Sequence, residues 1–286
     1  MTDLSGWVKE HFVDDLGIDK ITPIHGGDTN IGFRLDSSVG KYFLKVNPKE
    51  EYKDMLEKEA LSLKLLSQSE VIKVPKVLAI GSKDNKNYML MDWVEKSEPN
   101  RLFWENFGFE MASFHQKSFP FYGFVTDNYI GSLKQPNMGC NTWSDFFIQQ
   151  RLVPLVGEAY DKNIIDQLTV QKFEALYTRL PDVFSDDPPS LLHGDFWYGN
   201  YLCNKEGKAV LIDPACYYGN RIMDIAMSKL FGGFPDQFYH AYNSVWHLPY
   251  GWQEAVEIAN LYPLLVHANM FKGQYGEMIK NTLYRF

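Results

Sequence analysis

The stretch Leu192-His193-Gly194-Asp195-Phe196-Trp197-Tyr198-Gly199-Asn200, followed by Val210-Leu211-Ile212-Asp213-Pro214, decides the reading of this chain. An Asp, an Asn five residues later and a second Asp closing an apolar run form the layout that phosphoryl transfer needs. One carboxylate accepts or orients the proton of an attacking hydroxyl. The amide oxygen and the second carboxylate are hard ligands for Mg²⁺, which bridges nucleotide phosphates. The plainer alternative is a turn rich in Asp, Asn and Gly between two short strands. The ordered combination of His-Gly-Asp, the later Asn and the strand-end Asp favours the chemical reading.

Outward from this stretch, the first ninety residues are strand-rich. Ile31, Phe33 and Leu35 alternate with Gly32, Arg34 and Asp36, as in a half-buried strand. Residues 41–46, 77–80 and 88–93 predict further strands, and 51–67 carries a helical apolar spacing at Met55, Leu56, Leu63 and Leu66. Beyond about residue 95, helical patterns dominate, near 103–117, 143–158, 163–180, 222–231 and 252–285, interrupted by strand–loop–strand at 190–213. The expected class is α+β, with a β-rich lobe over 1–92 and a mainly helical lobe over 93–286, hinged at 91–95.

The chain's 286 residues are 45% apolar and 22% charged, which excludes disorder, collagen and coiled coil for the whole. A net charge of −8 argues against a nucleic-acid partner. No apolar run approaches a membrane span and no signal-peptide core opens the chain, so a soluble, cytoplasmic protein without a membrane partner is expected. Cys140, Cys203 and Cys216 lack the spacing of a zinc site or a disulfide framework.

With these residues in view, the chain resembles the protein-kinase-like superfamily, in the branch of small-molecule kinases that includes aminoglycoside and choline kinases. His-Gly-Asp stands where protein kinases have H-R-D, and Ile212-Asp213-Pro214 where they have D-F-G. The resemblance implies a bilobal fold, a small antiparallel sheet plus one helix followed by a larger helical lobe. It implies Asp195 as catalytic base, Asn200 and Asp213 as metal ligands, and ATP and Mg²⁺ as cofactors. His193 is expected to brace the loop.

The β-rich lobe should then supply a phosphate-holding lysine. Period two puts Lys41, Phe43 and Lys45 on one strand face, and Lys45 matches the lysine of the V-A-I-K motif. Glu59 lies in the middle of an apolar helical face, where a carboxylate is costly unless paired, so Lys45–Glu59 is the expected ion pair. Gly26, Gly27 and Asp28 are expected in a phosphate-covering turn, although adjacent glycines mark any tight hairpin. Asp92, Trp93 and Val94 sit where kinase backbone groups meet adenine.

The resemblance narrows to the fructosamine kinase (ketosamine 3-kinase) family. It is carried by HGDFWYGN, by Asp127-Asn128-Tyr129-Ile130-Gly131 and Gln135-Pro136-Asn137, and by Trp143-Ser144-Asp145-Phe146-Phe147 with Arg151-Leu152. Ile212-Asp213-Pro214-Ala215, Tyr217-Tyr218-Gly219, Asp224 and Leu230-Phe231-Gly232-Gly233-Phe234 complete it. The implied activity is ATP-dependent phosphorylation of the sugar 3-hydroxyl of ketoamines, free or on glycated lysine, which leads to deglycation. Trp197, Asp127, Asn128 and Trp143 are the candidate acceptor contacts. Asp224 is expected to brace the catalytic loop or cap its helix. Tyr198 replaces the family's usual serine, Phe196 its leucine, and Asn220 its histidine. Competing expectations are an aminoglycoside, aminosugar or amino-alcohol kinase of the same fold, and a non-catalytic nucleotide-binding pseudokinase. Oligomeric state is left open.

Overall fold

The alternating apolar pattern of the first ninety residues folds as one antiparallel sheet. The computed structural model describes residues 17–24, 29–48 and 50–286. Its strands β1 (Ile18–Ile24), β2 (Ile31–Ser37), β3 (Gly40–Asn47), β4 (Val77–Lys83) and β5 (Lys86–Asp92) lie in the order β1-β2-β3-β5-β4. In β3, Lys45 stands opposite Gly32 of β2 and Met89 of β5. One sheet face buries Leu35, Leu44, Val46, Tyr88 and Leu90. The other packs Met89, Met91 and Phe43 against Leu56 and Leu63 of helix α1 (Met55–Gln68). Lys45 shares the parity of Phe43, so the strand period turns it toward that helix. Gly26, Gly27 and Asp28 lie outside the described residues.

The chain forms two compact units, which part at Glu98/Pro99 rather than at 92/93, and residues 202–212 join the first. Backbone hydrogen bonds explain the transfer. Strands β9 (Tyr201–Cys203) and β10 (Ala209–Leu211) pair as a hairpin. Ser97 N–H donates to Cys203 O at 2.8 Å, Lys205 N–H to Glu95 O at 3.1 Å, and Leu211 N–H to Lys73 O at 2.9 Å. The pairing is long-range in sequence, so no local pattern announces it.

The second unit is mainly helical. It comprises α2 (Arg101–His115), α3 (Trp143–Phe146), α4 (Val153–Asp161), α5 (Gln167–Tyr177), α6 (Leu180–Val183), α7 (Ile222–Lys229), α8 (Asp236–Val245), α9 (Trp252–Ala259), α10 (Leu261–Phe271) and α11 (Tyr275–Leu283). A π-helical turn, Phe147–Leu152, joins α3 to α4 where one helix was expected. The expected helix at 252–285 is three, and Lys272 and Gly273, both at positive φ, end α10. Helix α8 was not anticipated. Short antiparallel pairs, β6 (Asn128–Ile130) with β7 (Leu133–Gln135) and β8 (Ser190–Leu192) with β11 (Tyr217–Gly219), bring residues 128–135 and 190–219 into ordered backbone.

Candidate active site

In the first unit, the strand lysine and the helix carboxylate meet as their spacing implies. Lys45 Nζ lies 2.6 Å from Glu59 Oε1, with both side chains nearly buried. Burial away from water strengthens such a contact and makes either partner costly to leave alone. Lys41, on the same strand, instead pairs with Glu95 at the exposed surface. The backbone N–H of Asp92 donates to Lys76 O at 3.0 Å. The N–H that a nucleotide base could meet in this segment therefore falls to Trp93 or Val94.

The Asp-Asn-Asp motif lies in the second unit. Strand β8 ends at Leu192 and the chain turns sharply through Gly194, whose φ is +82°. A Cβ at Gly194 would stand 2.0 Å from Ala215 O, so only glycine lets the two backbones come this close. His193 is fully buried, and its Nδ1 accepts the N–H of Asp195 at 3.3 Å. Asp224, on α7 and buried, accepts the N–H groups of His193 at 2.7 Å and Gly194 at 3.0 Å. Its carboxylate also meets His115 Nε2 at 3.2 Å, and His115 Nδ1 in turn meets Tyr242 Oη at 2.8 Å. Both His193 and Asp224 thus act on the loop's conformation, as their sequence position suggested. Phe196 is fully buried among Phe107, Phe234 and Phe238, with ring centroids 5.2–5.9 Å away, which anchors the loop's far side.

Asp195 remains partly open to solvent between these anchors. The amide nitrogen of Asn200 donates to its Oδ2 at 2.8 Å and to its backbone oxygen at 2.9 Å. Loss of surrounding water pushes the Asp195 carboxyl up to about 7; the Asn200 hydrogen bond pulls against this, and the charges of Asp213 and Asp224 add to it. With its nitrogen spent on Asp195, Asn200 keeps its oxygen as the group a hard cation would take. The exposed Asp213 adds a carboxylate whose charge is felt at Asp195. Mutual repulsion between these carboxylates, with an amide oxygen beside them, is a donor set that fits Mg²⁺. Among the described residues no group of three or more His, Cys, Asp or Glu side chains gathers to cage a metal. Such a set suits a cation shared with phosphate oxygens.

The four candidate acceptor contacts separate. Trp197 is 38% exposed and lies against Gly199, where a Cβ would meet the indole at 2.4 Å. It stays available to a ligand. Trp143 is 4% exposed and stacks on Phe147 with centroids 5.3 Å apart, which makes it a core residue with no face to offer. Asn128 is also buried; its Nδ2 donates to Cys216 O at 2.9 Å and its Oδ1 accepts from Gln135 and Asn137. Asp127 is exposed and accepts the Asn137 N–H at 2.8 Å. Asn128 and Trp143 thus fit packing rather than recognition.

Comparison with known proteins follows the same lines. The fructosamine kinase family model matches residues 1–286. The chain belongs to the fructosamine kinase family. Two relatives named "Probable ketoamine kinase", from Enterococcus faecium and Vibrio cholerae, are 36% and 34% identical to it. The first match covers 93% of this chain and 95% of the relative, the second 94% and 92%. The crystal structure of a protein provisionally named fructosamine-3-kinase from Thermobifida fusca superposes with a TM-score of 0.89 at 29% identity, over 99% of this chain and 98% of the other. Aminoglycoside phosphotransferase APH(4)-Ia, at 15% identity and a TM-score of 0.65 over 99% and 98%, shares the fold. This fructosamine kinase family member is therefore a phosphotransferase with the bilobal protein-kinase-like fold, and its family implies use of ATP. Among its described residues no helix is long and apolar enough to cross a membrane.

Arg151 enters the sequence reading only as part of a family string, with no role assigned. It is fully buried, and its guanidinium donates to Pro136 O at 2.5 Å, Gln150 O at 3.0 Å and Asn137 Oδ1 at 2.7 Å. Tyr217, at 4.0 Å from ring centroid to guanidinium carbon, and Phe146, at 4.6 Å, cover its faces. The π-helical turn that carries it leaves no apolar period to read.

Proposed function

We propose that this chain is an ATP- and Mg²⁺-dependent ketoamine kinase that phosphorylates the 3-hydroxyl of sugar–amine adducts, on free amines or on glycated lysine. The family match over residues 1–286 carries the substrate class. The Asp195–Asn200 hydrogen bond beside Asp213 supports the reaction type.

In this reading Asp195 accepts the proton of the acceptor hydroxyl as that oxygen attacks the γ-phosphorus of ATP, and ADP leaves. Asn200 fixes the Asp195 carboxylate through its amide nitrogen. Asn200 and Asp213 would hold Mg²⁺, which when bound neutralises charge on the phosphate oxygens. Lys45, oriented by Glu59, binds the nucleotide's phosphates, and Trp93 and Val94 offer backbone groups to its base. Trp197 presents an indole face to the acceptor sugar. The 3-phosphorylated adduct then loses its sugar, which restores the amine.

The test is release of ADP from ATP–Mg²⁺ by purified protein with ribulose-lysine, fructose-lysine, a free aminosugar or no acceptor. Turnover should require a ketoamine, and Asp195→Asn should lower kcat by ~10²–10⁴ while nucleotide binding persists, the range expected for a positioned base. Turnover with the aminosugar alone would move the acceptor to the aminoglycoside kinase class. ATP binding without transfer to any acceptor would favour a pseudokinase.

A further inference from the structure

We infer that Asn128 and Gln135, backed by Asn137, Arg151 and Tyr262, form a clamp that holds Asp213 in the backbone conformation from which it takes a cation. The inference rests on the phosphotransferase reading above. Its starting point is strain. Asp213 has a φ of +54°, in the left-handed region, and it precedes Pro214. A non-glycine residue there costs ~1–2 kcal/mol, and a following proline narrows the choice further toward extended backbone. Such a conformation persists only where its surroundings over-determine it.

The surroundings are specific. Just past Asp213, Ala215 N–H donates to His193 O at 2.9 Å, which ties this segment to the turn bearing Asp195. Gln135 Nε2 donates to Ala215 O at 3.1 Å and Asn128 Nδ2 to Cys216 O at 2.9 Å. Gly123 and Tyr218 exchange backbone hydrogen bonds at 2.8 Å on the next residues. The two amides are themselves fixed. Asn128 Oδ1 accepts from Gln135 at 2.7 Å and from Asn137 at 2.9 Å, and Gln135 Oε1 accepts the Tyr262 hydroxyl at 2.5 Å. Arg151 holds Asn137 by its oxygen. Asn128, Gln135 and Asn137 are each 3% exposed or less.

Hydrogen bonds within a buried polar network rigidify the groups they join, and each missing partner is costly. With oxygen and nitrogen of both amides engaged, neither is left to meet an acceptor sugar. Asn128 and Gln135 therefore position the metal-binding segment and do not read the substrate. Residues that orient a metal's ligands change affinity by ~10–100-fold when lost.

The experiment titrates Mn²⁺ by electron paramagnetic resonance in the presence of AMP-PNP, on wild type, Asn128→Ala and Tyr262→Phe, alongside acceptor KM. Asn128→Ala should weaken Mn²⁺ binding roughly 10–100-fold with acceptor KM unchanged, and Tyr262→Phe should shift it less in the same direction. Tyr262→Phe removes one hydroxyl only, so it decides the matter if Asn128→Ala does not fold. Unchanged Mn²⁺ binding in the variants, with or without a raised acceptor KM, overturns the clamp while the phosphotransferase reading stands. Absence of Mn²⁺–AMP-PNP binding in the wild type overturns both.

Discussion

Two buried cations of this molecule are neutralised in opposite ways. Lys45 has a carboxylate at 2.6 Å, whereas fully buried Arg151 is met by three amide and carbonyl oxygens and two ring faces. The difference follows from the two side chains. A lysine ammonium is a compact charge on a flexible stem, which can share itself between a carboxylate and an arriving phosphate. An arginine fork spends its donors in fixed directions and lies flat on aromatic rings. In the proposed reading Lys45 meets a ligand, whereas Arg151 is bound on all sides by the chain itself.

The sharpest way to break this comparison is Arg151→Met. It leaves Pro136 O, Gln150 O and Asn137 Oδ1 without their donor inside the protein. Each unpartnered group costs ~1–3 kcal/mol, so stability in a urea titration should fall by at least about 3 kcal/mol. Arg151→Lys keeps the charge but loses the fork, and should recover only part of this. Near-normal stability in Arg151→Met would mean that the oxygens around it find other partners.

The contrast also explains what could be read in advance. Lys45 and Glu59 were legible because each signal is local, a period-two strand and one carboxylate in an apolar helical stripe. The same holds for His-Gly-Asp, Asn200 and Asp213, which occupy a short span of chain. Besides Gln150 and Phe146, Arg151 draws partners from residues 136, 137 and 217 while sitting in a π-helical turn, and those distant partners are not written near residue 151. Asn128 and Trp143 were placed at the acceptor for the converse reason. Polar and aromatic side chains in family strings look alike whether they face a ligand or the core, and only burial separates them. The lobe boundary at 92/93 stopped short because the β9–β10 hairpin returns to the first unit through backbone hydrogen bonds.

The next effect is on rate rather than stability. Glu59→Gln keeps the size of the side chain but removes the charge that fixes Lys45, so the ammonium proposed to hold phosphate loses its orientation. Misplacement of a positioning group by about 1 Å costs on the order of 10²-fold, equivalent to about 2.7 kcal/mol of barrier. In single-turnover experiments kcat should fall by that order. A fall in stability with normal kcat would make the pair structural and erase its distinction from Arg151.

The smallest effect belongs to Lys41, and it completes the comparison on one strand. Lys41 and Lys45 share a face of β3, and both have glutamate partners, Glu95 and Glu59. Only burial differs, with Lys41 and Glu95 nearly half exposed. Water and salt screen an exposed pair, and ordering two long side chains offsets what attraction remains. Lys41→Ala should therefore leave both melting temperature and kcat unchanged within error, in low and in high salt. A salt-dependent loss of activity would show that Lys41 also works on the nucleotide, and that charge on this face, rather than burial, selects the working lysine.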